Sequence, residues 1–318
     1  QLLGGRLPLS AFAHQAGIGL SVVDCGVAEA VTPHARLVAR KIAHGSRSVR
    51  LGPAMSVAQA HAGIRAGMEL AEALPGNVLM CAGLGAGGFE SGALVIARLA
   101  ATDLRPLVQG GDASPADRVA RLMVVLQTAL ERHRAATHPV EVLAALGGHE
   151  MSLMVGAMLV AASRRHLVVL DGMAACAAFH VATRLAPETR PYGLFCHSHG
   201  HPGLQRAQAL LDGGPMLELG LNSQDGTGAV LACRRGAANG GPAAGGDGLT
   251  AAPDGRVGES ASRRVGESAS RRRRVTAPRP GSGRRRSSRW PRPGTARSAA
   301  PESGCPWRTA CRAAARAG

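Results

Sequence analysis

Hydrophobic and polar positions follow two rhythms over the first 236 residues. Short continuous apolar runs end at aspartate or glycine. Ile18–Val23 precedes Asp24-Cys25-Gly26, Val78–Cys81 precedes a glycine-rich stretch to Gly88, and Leu167–Leu170 precedes Asp171-Gly172. Runs of this length, bounded by turn residues, predict buried strands. Between them the apolar residues recur at helical spacing. Ser56 caps a predicted helix reaching about Leu74, with Ile64, Met68 and Ala71 on one face and Pro75-Gly76 as its stop. Ser114-Pro115 opens another, with the stripe Val119, Leu122, Leu126 and Ala129/Leu130, ending near His133. Ala93–Ala101, Ser152–Ser163 and Ala174–Leu185 read as further helices, and the second of these is apolar all round, as a buried helix is. Arg40–Gly45 reads as a strand edge and turn, and Val142–Leu146 leads into Gly147-Gly148. Alternation of strand and helix predicts an α/β fold, a parallel sheet with helices on both faces.

Ligands of open α/β sheets bind beyond the carboxyl ends of the strands. That is where Asp24-Cys25-Gly26, Ala82–Gly88 and Asp171-Gly172 fall, and Asp225-Gly226-Thr227-Gly228 adds a fourth glycine-bearing segment. Glycine lets backbone N–H groups approach a phosphate closely. The recurrence points to a small phosphorylated ligand with carboxylates nearby.

After Gly236 the rhythm vanishes. Residues 237–318 are rich in Gly, Ala, Pro, Ser and Arg, and the octet Arg-Val-Gly-Glu-Ser-Ala-Ser-Arg repeats in tandem at Arg256–Arg263 and Arg264–Arg271. Such a composition predicts a disordered tail, separate from an α/β domain over residues 1–236. Charge divides the same way. The chain carries +16, of which residues 1–240 hold +4 (20 Lys+Arg against 16 Asp+Glu) and residues 241–318 hold +12 (17 Arg against 5 Asp+Glu). The arginine clusters 271–274 and 284–286 can engage nucleic-acid phosphates non-specifically; the plain alternative is an extension without function. Aromatic residues make up 2% of the chain, which argues against base-stacking platforms.

Seven cysteines form no CxxC pair, and five lie in the first 236 residues in mostly apolar surroundings. That predicts reduced thiols in a cytoplasmic protein. The longest apolar stretch, Met151–Ala162, is too short to cross a bilayer, so no membrane partner is expected.

Six segments occur in an order that resembles one family. They are Val22-Val23-Asp24-Cys25-Gly26-Val27, Lys41-Ile42-Ala43-His44-Gly45-Ser46, Gly52-Pro53-Ala54-Met55-Ser56, Val142–Gly148 with Glu150, Val168-Val169-Leu170-Asp171-Gly172, and Gly226-Thr227-Gly228-Ala229. Together they resemble the nicotinate-nucleotide–dimethylbenzimidazole phosphoribosyltransferases. The resemblance implies a Rossmann-like parallel sheet, transfer of phosphoribosyl from nicotinate mononucleotide to 5,6-dimethylbenzimidazole, a homodimer, and no cofactor or metal. It also implies roughly ninety further residues ahead of this sequence, and so an incomplete small helical domain.

The resemblance makes Asp225 the counterpart of the family's general base, a glutamate. It assigns substrate binding to Gly85, Gly87, Gly147, Gly148, Asp171, Gly172, His197, Gly226, Thr227 and Gly228. The chain departs from the family's Gly-Glu-Met-Gly-Ile-Gly-Asn-Thr-Thr at Ala82–Glu90, keeping Gly85 and Gly87 but neither the carboxylate nor the Asn-Thr-Thr. A further Gly-Thr-Gly phosphate loop is replaced by Gly110-Gly111-Asp112, where Asp112 would repel a phosphate. Each acidic residue has a plainer reading beside this one. Asp225 before glycine is a turn residue, Asp171 a helix cap, and Glu150 a complement to a helix's positive end. Two other functions stay open. One is an inactive relic or ligand-binding paralogue. The other is a metal-dependent hydrolase using His197, His199 and His201.

Overall fold

The computed structural model describes residues 1–109, 116–197, 200–218, 220–221 and 223–238. The loop Gly110–Asp112, the helix opening at Ser114-Pro115, His199 and the tail beyond residue 238 lie outside the described residues.

The centre is a four-stranded, wholly parallel sheet in the order β3 (Val78–Ala82), β4 (Leu167–Asp171), β5 (Gly193–His197) and β6 (Pro215–Leu217). A second parallel pair joins β1 (Val22–Asp24) to β2 (Leu37–Ala39). The continuous apolar run of β4 reflects burial on both faces. Val168 and Leu170 enter the main core with α3 (Gly88–Leu99), α7 (His149–Ser163) and α8 (Gly172–Leu185). Val169 points the other way, into a cluster with Ala229 and Ala232 of α10 (Thr227–Ala238). Helix α1 (Pro8–Gln15) packs Leu9 and Ala13 against Val230 of α10. The expected α/β architecture, with helices on both faces of a parallel sheet, is what forms.

Helix α2 (Val57–Ala73) begins where the sequence places it. Ser56 Oγ accepts from Gln59 N–H at 3.1 Å, and Gln59 Oε1 accepts from Ser56 N–H at 2.9 Å. This reciprocal box satisfies two otherwise orphaned donors. Ser56→Ala is expected to cost about 1 kcal/mol, read as a lower urea midpoint at unchanged slope. Helix α2 lies directly on α7. A β-carbon on Gly67 would overlap the carbonyl of Leu153, and one on Gly156 the carbonyl of Ile64, so the two backbones touch and no side chain fits between them.

Several boundaries differ from expectation for identifiable reasons. Strand β1 starts at Val22 rather than Ile18, because only three residues find a partner in β2. Arg40–Gly45 is not a strand, yet it follows β1's continuation through Arg40 N–H to Asp24 O, Ile42 N–H to Cys25 O and Gly45 N–H to Gly26 O. The run Val142–Leu146 is the body of α6 (Pro139–Leu146), opened by Pro139 behind His138. Helices α3 and α7 start at Gly88 and His149, five and three residues before the points expected from the apolar pattern. The early start of α7 puts Glu150 in a helical first turn. The segment α5 (Ala116–Arg132) carries the expected stripe, with Leu126 and Ala129 buried and Val119, Leu122 and Leu130 packed against the core; Met123, outside that stripe, is buried too. Two short helices, α4 (Arg105–Val108) and α9 (Pro202–Ala209), and a 3₁₀ helix at Pro187–Tyr192 complete the set among the described residues. No helix among these residues is long and apolar enough to cross a membrane.

Candidate active site

Strands β3, β4 and β5 end at Ala82, Asp171 and His197, and the starts of α7, α8 and α10 converge on these ends. A β-carbon on Gly226 would lie 3.6 Å from that of Ala82. One on Gly172 would lie 2.7 Å from Gln224 Oε1. One on Gly83 would lie 3.2 Å from Glu150 Cγ. The structure therefore brings Gly85, Gly87, Gly147, Gly148, Asp171, Gly172, His197, Asp225, Gly226, Thr227 and Gly228 to one end of the sheet.

Their side chains are engaged in particular ways. Asp171 is fully buried, and its Oδ1 lies 3.0 Å from His197 Nε2, itself 1% exposed. Its Oδ2 accepts from Ala229 N–H at 3.4 Å. Asp171 does not cap α8 with its side chain; it ties β4 to β5 and to the first turn of α10. Gln208 Nε2 holds the far side by donating to His197 O at 2.9 Å. A β-carbon on Gly228 would overlap Cδ2 and Nε2 of His197. Glycine at 228 is thus what lets α10 sit against the imidazole.

Gln224, which the motif reading passed over, takes the capping role at α8. Its Oε1 accepts from Met173 N–H at 3.1 Å. The only signal in the sequence was its place beside Asp225.

Asp225 stands just ahead of α10 and accepts from Thr227 N–H at 3.0 Å and from the Ser223 hydroxyl. Burial alone would raise its pKa. The hydrogen bonds from Ser223 and from the side chain and N–H of Thr227 outweigh that and hold it below the ordinary aspartate value. Two carboxylates, Asp225 and Asp171, thus complement the positive end of α10. Thr227 N–H and Ala229 N–H are committed to this chain's own carboxylates.

Glu150 stands in the first turn of α7. Its pKa is raised by burial, which the hydrogen bond from its own N–H only partly offsets. Beside it, His149 is buried, with Nε2 3.3 Å from Gly45 O. Burial lowers its pKa and keeps it neutral, although the Gly45 carbonyl works the other way. This contact docks the β1–β2 segment onto α7. The segment is tied within itself by the chain's single lysine: Lys41 Nζ reaches Asp24 Oδ2 at 2.9 Å and Val27 O at 2.6 Å.

Of the three histidines in the hydrolase alternative, His197 faces Asp171. His201 Nδ1 accepts from Gly203 N–H at 3.1 Å at the start of α9, and its ring lies 4.6 Å from that of Phe89. His199 is outside the described residues. Among the described residues one trio is close enough to share a cation: Asp171, Cys196 and His197, all buried. Burial, with Asp171 nearby, pushes the Cys196 thiol well above the usual range, and Sγ donates to Leu170 O at 3.1 Å.

Comparison with known proteins follows the same geometry. A family model described as "Phosphoribosyltransferase" matches residues 1–235. The nicotinate-nucleotide–dimethylbenzimidazole phosphoribosyltransferase of Variovorax paradoxus is 39% identical over 230 residues, covering 72% of this chain and 66% of that protein. The enzyme of the same name from Shewanella baltica strain OS185 is 34% identical over 232 residues, covering 72% and 64%. A crystal structure of CobT from Thermus thermophilus superposes with a TM-score of 0.69 at 29% identity, covering 74% of this chain and 71% of that one. The chain spans just under two thirds of the length of those two relatives.

Proposed function

This chain belongs to the phosphoribosyltransferase family that matches its residues 1–235, and on that premise we propose that it transfers phosphoribosyl from nicotinate mononucleotide to 5,6-dimethylbenzimidazole, giving nicotinate and α-ribazole 5′-phosphate. The observation that carries the reading is the convergence of the β3 glycine loop, the α7 start and Asp225-Gly226-Thr227-Gly228 at the carboxyl ends of parallel strands. Relatives that bear this reaction in their names align over the same residues.

The chemistry asks little of acid catalysis. The leaving pyridinium is already cationic, so departure restores a neutral ring without a proton. The protein must align the azole nitrogen with the ribosyl carbon and take up the azole proton. Backbone N–H groups around Gly85, Gly87 and Gly148 are the anion-accepting elements of this reading; the Gly147 N–H is already given to Leu143 O at 2.9 Å. The Asp171–His197 pair, with Gly172 and Gly228, holds the α8 and α10 starts in place. A homodimer is part of the proposal, as in the resemblance that prompted it. Five free thiols among the described residues, at Cys25, Cys81, Cys176, Cys196 and Cys233, support a reducing compartment such as the cytoplasm.

Calorimetric titration of the purified chain with nicotinate mononucleotide, alone and with dimethylbenzimidazole present, tests the binding half of this reading. Saturable binding of both is expected. A folded chain that binds neither would refute it.

A further inference from the structure

Two pockets lie at the end of the sheet away from the proposed transfer site. Asp171 and His197 stand at the carboxyl ends of β4 and β5, whereas the larger of these pockets lies where β5 and β6 begin, at Gly193, Gly214 and Met216. The five residues of β5 set the two ends about 13 Å apart. Arg190 and Leu211 line both pockets, so the two share a wall. The first has a volume of about 250 Å³ and holds His180, Thr183 and Arg184 of α8 with Arg190 of the 3₁₀ helix. The second has about 380 Å³ and is lined by Pro191, Leu194 and Met216 together with the rings of Phe179 and Phe195. A β-carbon on Gly193 would overlap the Phe179 ring, and one on Gly213 the Phe195 ring, so bare backbone lies against both. A β-carbon on Gly214, which also lines this pocket, would meet nothing within 4 Å. The second pocket alone falls in the usual range for small-molecule sites, about 300–1,000 Å³.

The first pocket offers positive charge to a ligand. Helices α3, α8 and α9 end beside it, and their last carbonyls are negative. Two of these carbonyls already have donors: Arg184 Nη2 donates to Leu99 O, and His180 Nε2 to Ala207 O at 3.3 Å. A guanidinium carries five N–H donors, so Arg184 keeps others for an oxyanion. Arg190 pairs with Asp212 at 2.5 Å, with the two side chains 45% and 84% exposed. Exposed pairs of this kind hold weakly, so a second carboxylate or a phosphate can take Arg190 over. Both arginine charges act on the His180 ring, so both lie near the same wall of the pocket.

From this pairing of a basic pocket with an apolar one we infer that this end of the protein binds a small amphiphilic anion, a planar apolar ring bearing a carboxylate or a phosphate. The ring occupies the second pocket beside Leu194 and Met216, and the oxyanion reaches Arg190 and Arg184. Asp212 is the rival for Arg190. The site goes beyond the transferase reading and does not depend on it.

The test is equilibrium dialysis of the whole chain at neutral pH with benzoate and, separately, phenyl phosphate, with benzamide as the uncharged ring. Saturable binding of at least one anion, with a Kd on the order of 1 mM, is expected. It should be at least about 10-fold tighter than that of benzamide, and the tighter anion identifies the head group. Arg190→Gln is expected to weaken it about 10-fold. Asp212→Asn keeps a residue type that tolerates the left-handed backbone there (φ 54°) and removes the rival carboxylate. It is expected to tighten binding about threefold, a gain that a purely structural ion pair would not give. Gly214→Leu, with its fold checked by circular dichroism, should fill the second pocket and abolish binding. Should that variant not fold, the Arg190 and Asp212 variants decide. Absence of saturable binding, equal affinity for benzamide, or anion affinity that these variants leave unchanged overturns the inference. A wild-type dimer that dissociates in Gly214→Leu would show that a second copy covers the pockets, and overturns it as well. A chain that binds the anion but releases no nicotinate loses the transferase reading and keeps this one.

Discussion

Asp171→Ala is expected to destabilise the protein by about 3–5 kcal/mol, the usual cost of removing one member of a buried, mutually bonded polar pair. The carboxylate is fully buried and serves three elements at once. It ends β4, meets His197 at the end of β5, and accepts from Ala229 N–H in α10. Alanine leaves the imidazole facing a void in a region that water does not reach, and it leaves a helix N–H without that acceptor. Asp171→Asn keeps the shape and one carbonyl acceptor but turns an amide N–H₂ toward either His197 or Ala229. It should therefore fall between wild type and alanine. Urea unfolding followed at 222 nm gives the ordering. A loss below about 1 kcal/mol in Asp171→Ala would mean that the pair does not hold these strands together.

Acid is expected to destabilise this protein through His180. His180 lies on α8, buried, with Nε2 3.3 Å from Ala207 O. Burial, followed by the nearby Arg184 and Arg190, lowers its pKa from 6.5 to about 4 against the opposing effect of the Ala207 carbonyl. The folded state keeps the ring neutral while the unfolded chain takes up a proton. Stability is thus fully present above pH 6.5 and is lost as pH falls toward about 4. The width of that window corresponds to roughly 3 kcal/mol. His61, His149 and His201, all lowered chiefly by burial, act in the same direction, and Glu150, whose pKa is raised, acts in the opposite one. The difference between wild type and His180→Gln isolates the one ring. Melting temperature against pH should fall less steeply in the variant. An equally steep fall in both would show that His180 is not the acid-sensitive group.

What the sequence discloses depends on how local the cause is. Strand β4 and helix α2 were legible because their causes lie within them: a continuous apolar run in one, and Ser56 with Gln59 three residues on in the other. Strands β5 and β6 were not. Gly193-Leu194-Phe195-Cys196-His197 and Pro215-Met216-Leu217 are short and mixed, and they are strands because β4 offers an edge for pairing. Helix α10 was missed as an element, since glycines at 226 and 228 read as a loop; the glycine at 228 instead lets the helix meet His197.

The site follows the same division. Glycine loops at strand ends locate it from sequence alone. The meeting of Asp171 with His197, 26 residues apart, exists only once β4 and β5 lie side by side. Glu150 reads from the sequence as a complement to a helix's positive end, and α7, starting at His149, puts it in the first turn.

The most direct measurement is nicotinate release from nicotinate mononucleotide by the purified chain, with and without dimethylbenzimidazole, with chromatography of the products. The account predicts release that depends on the azole and yields α-ribazole 5′-phosphate in equal amount. A folded chain that releases no nicotinate, or releases it without forming that product, would contradict the account and favour a protein that keeps the family's fold without its transfer reaction.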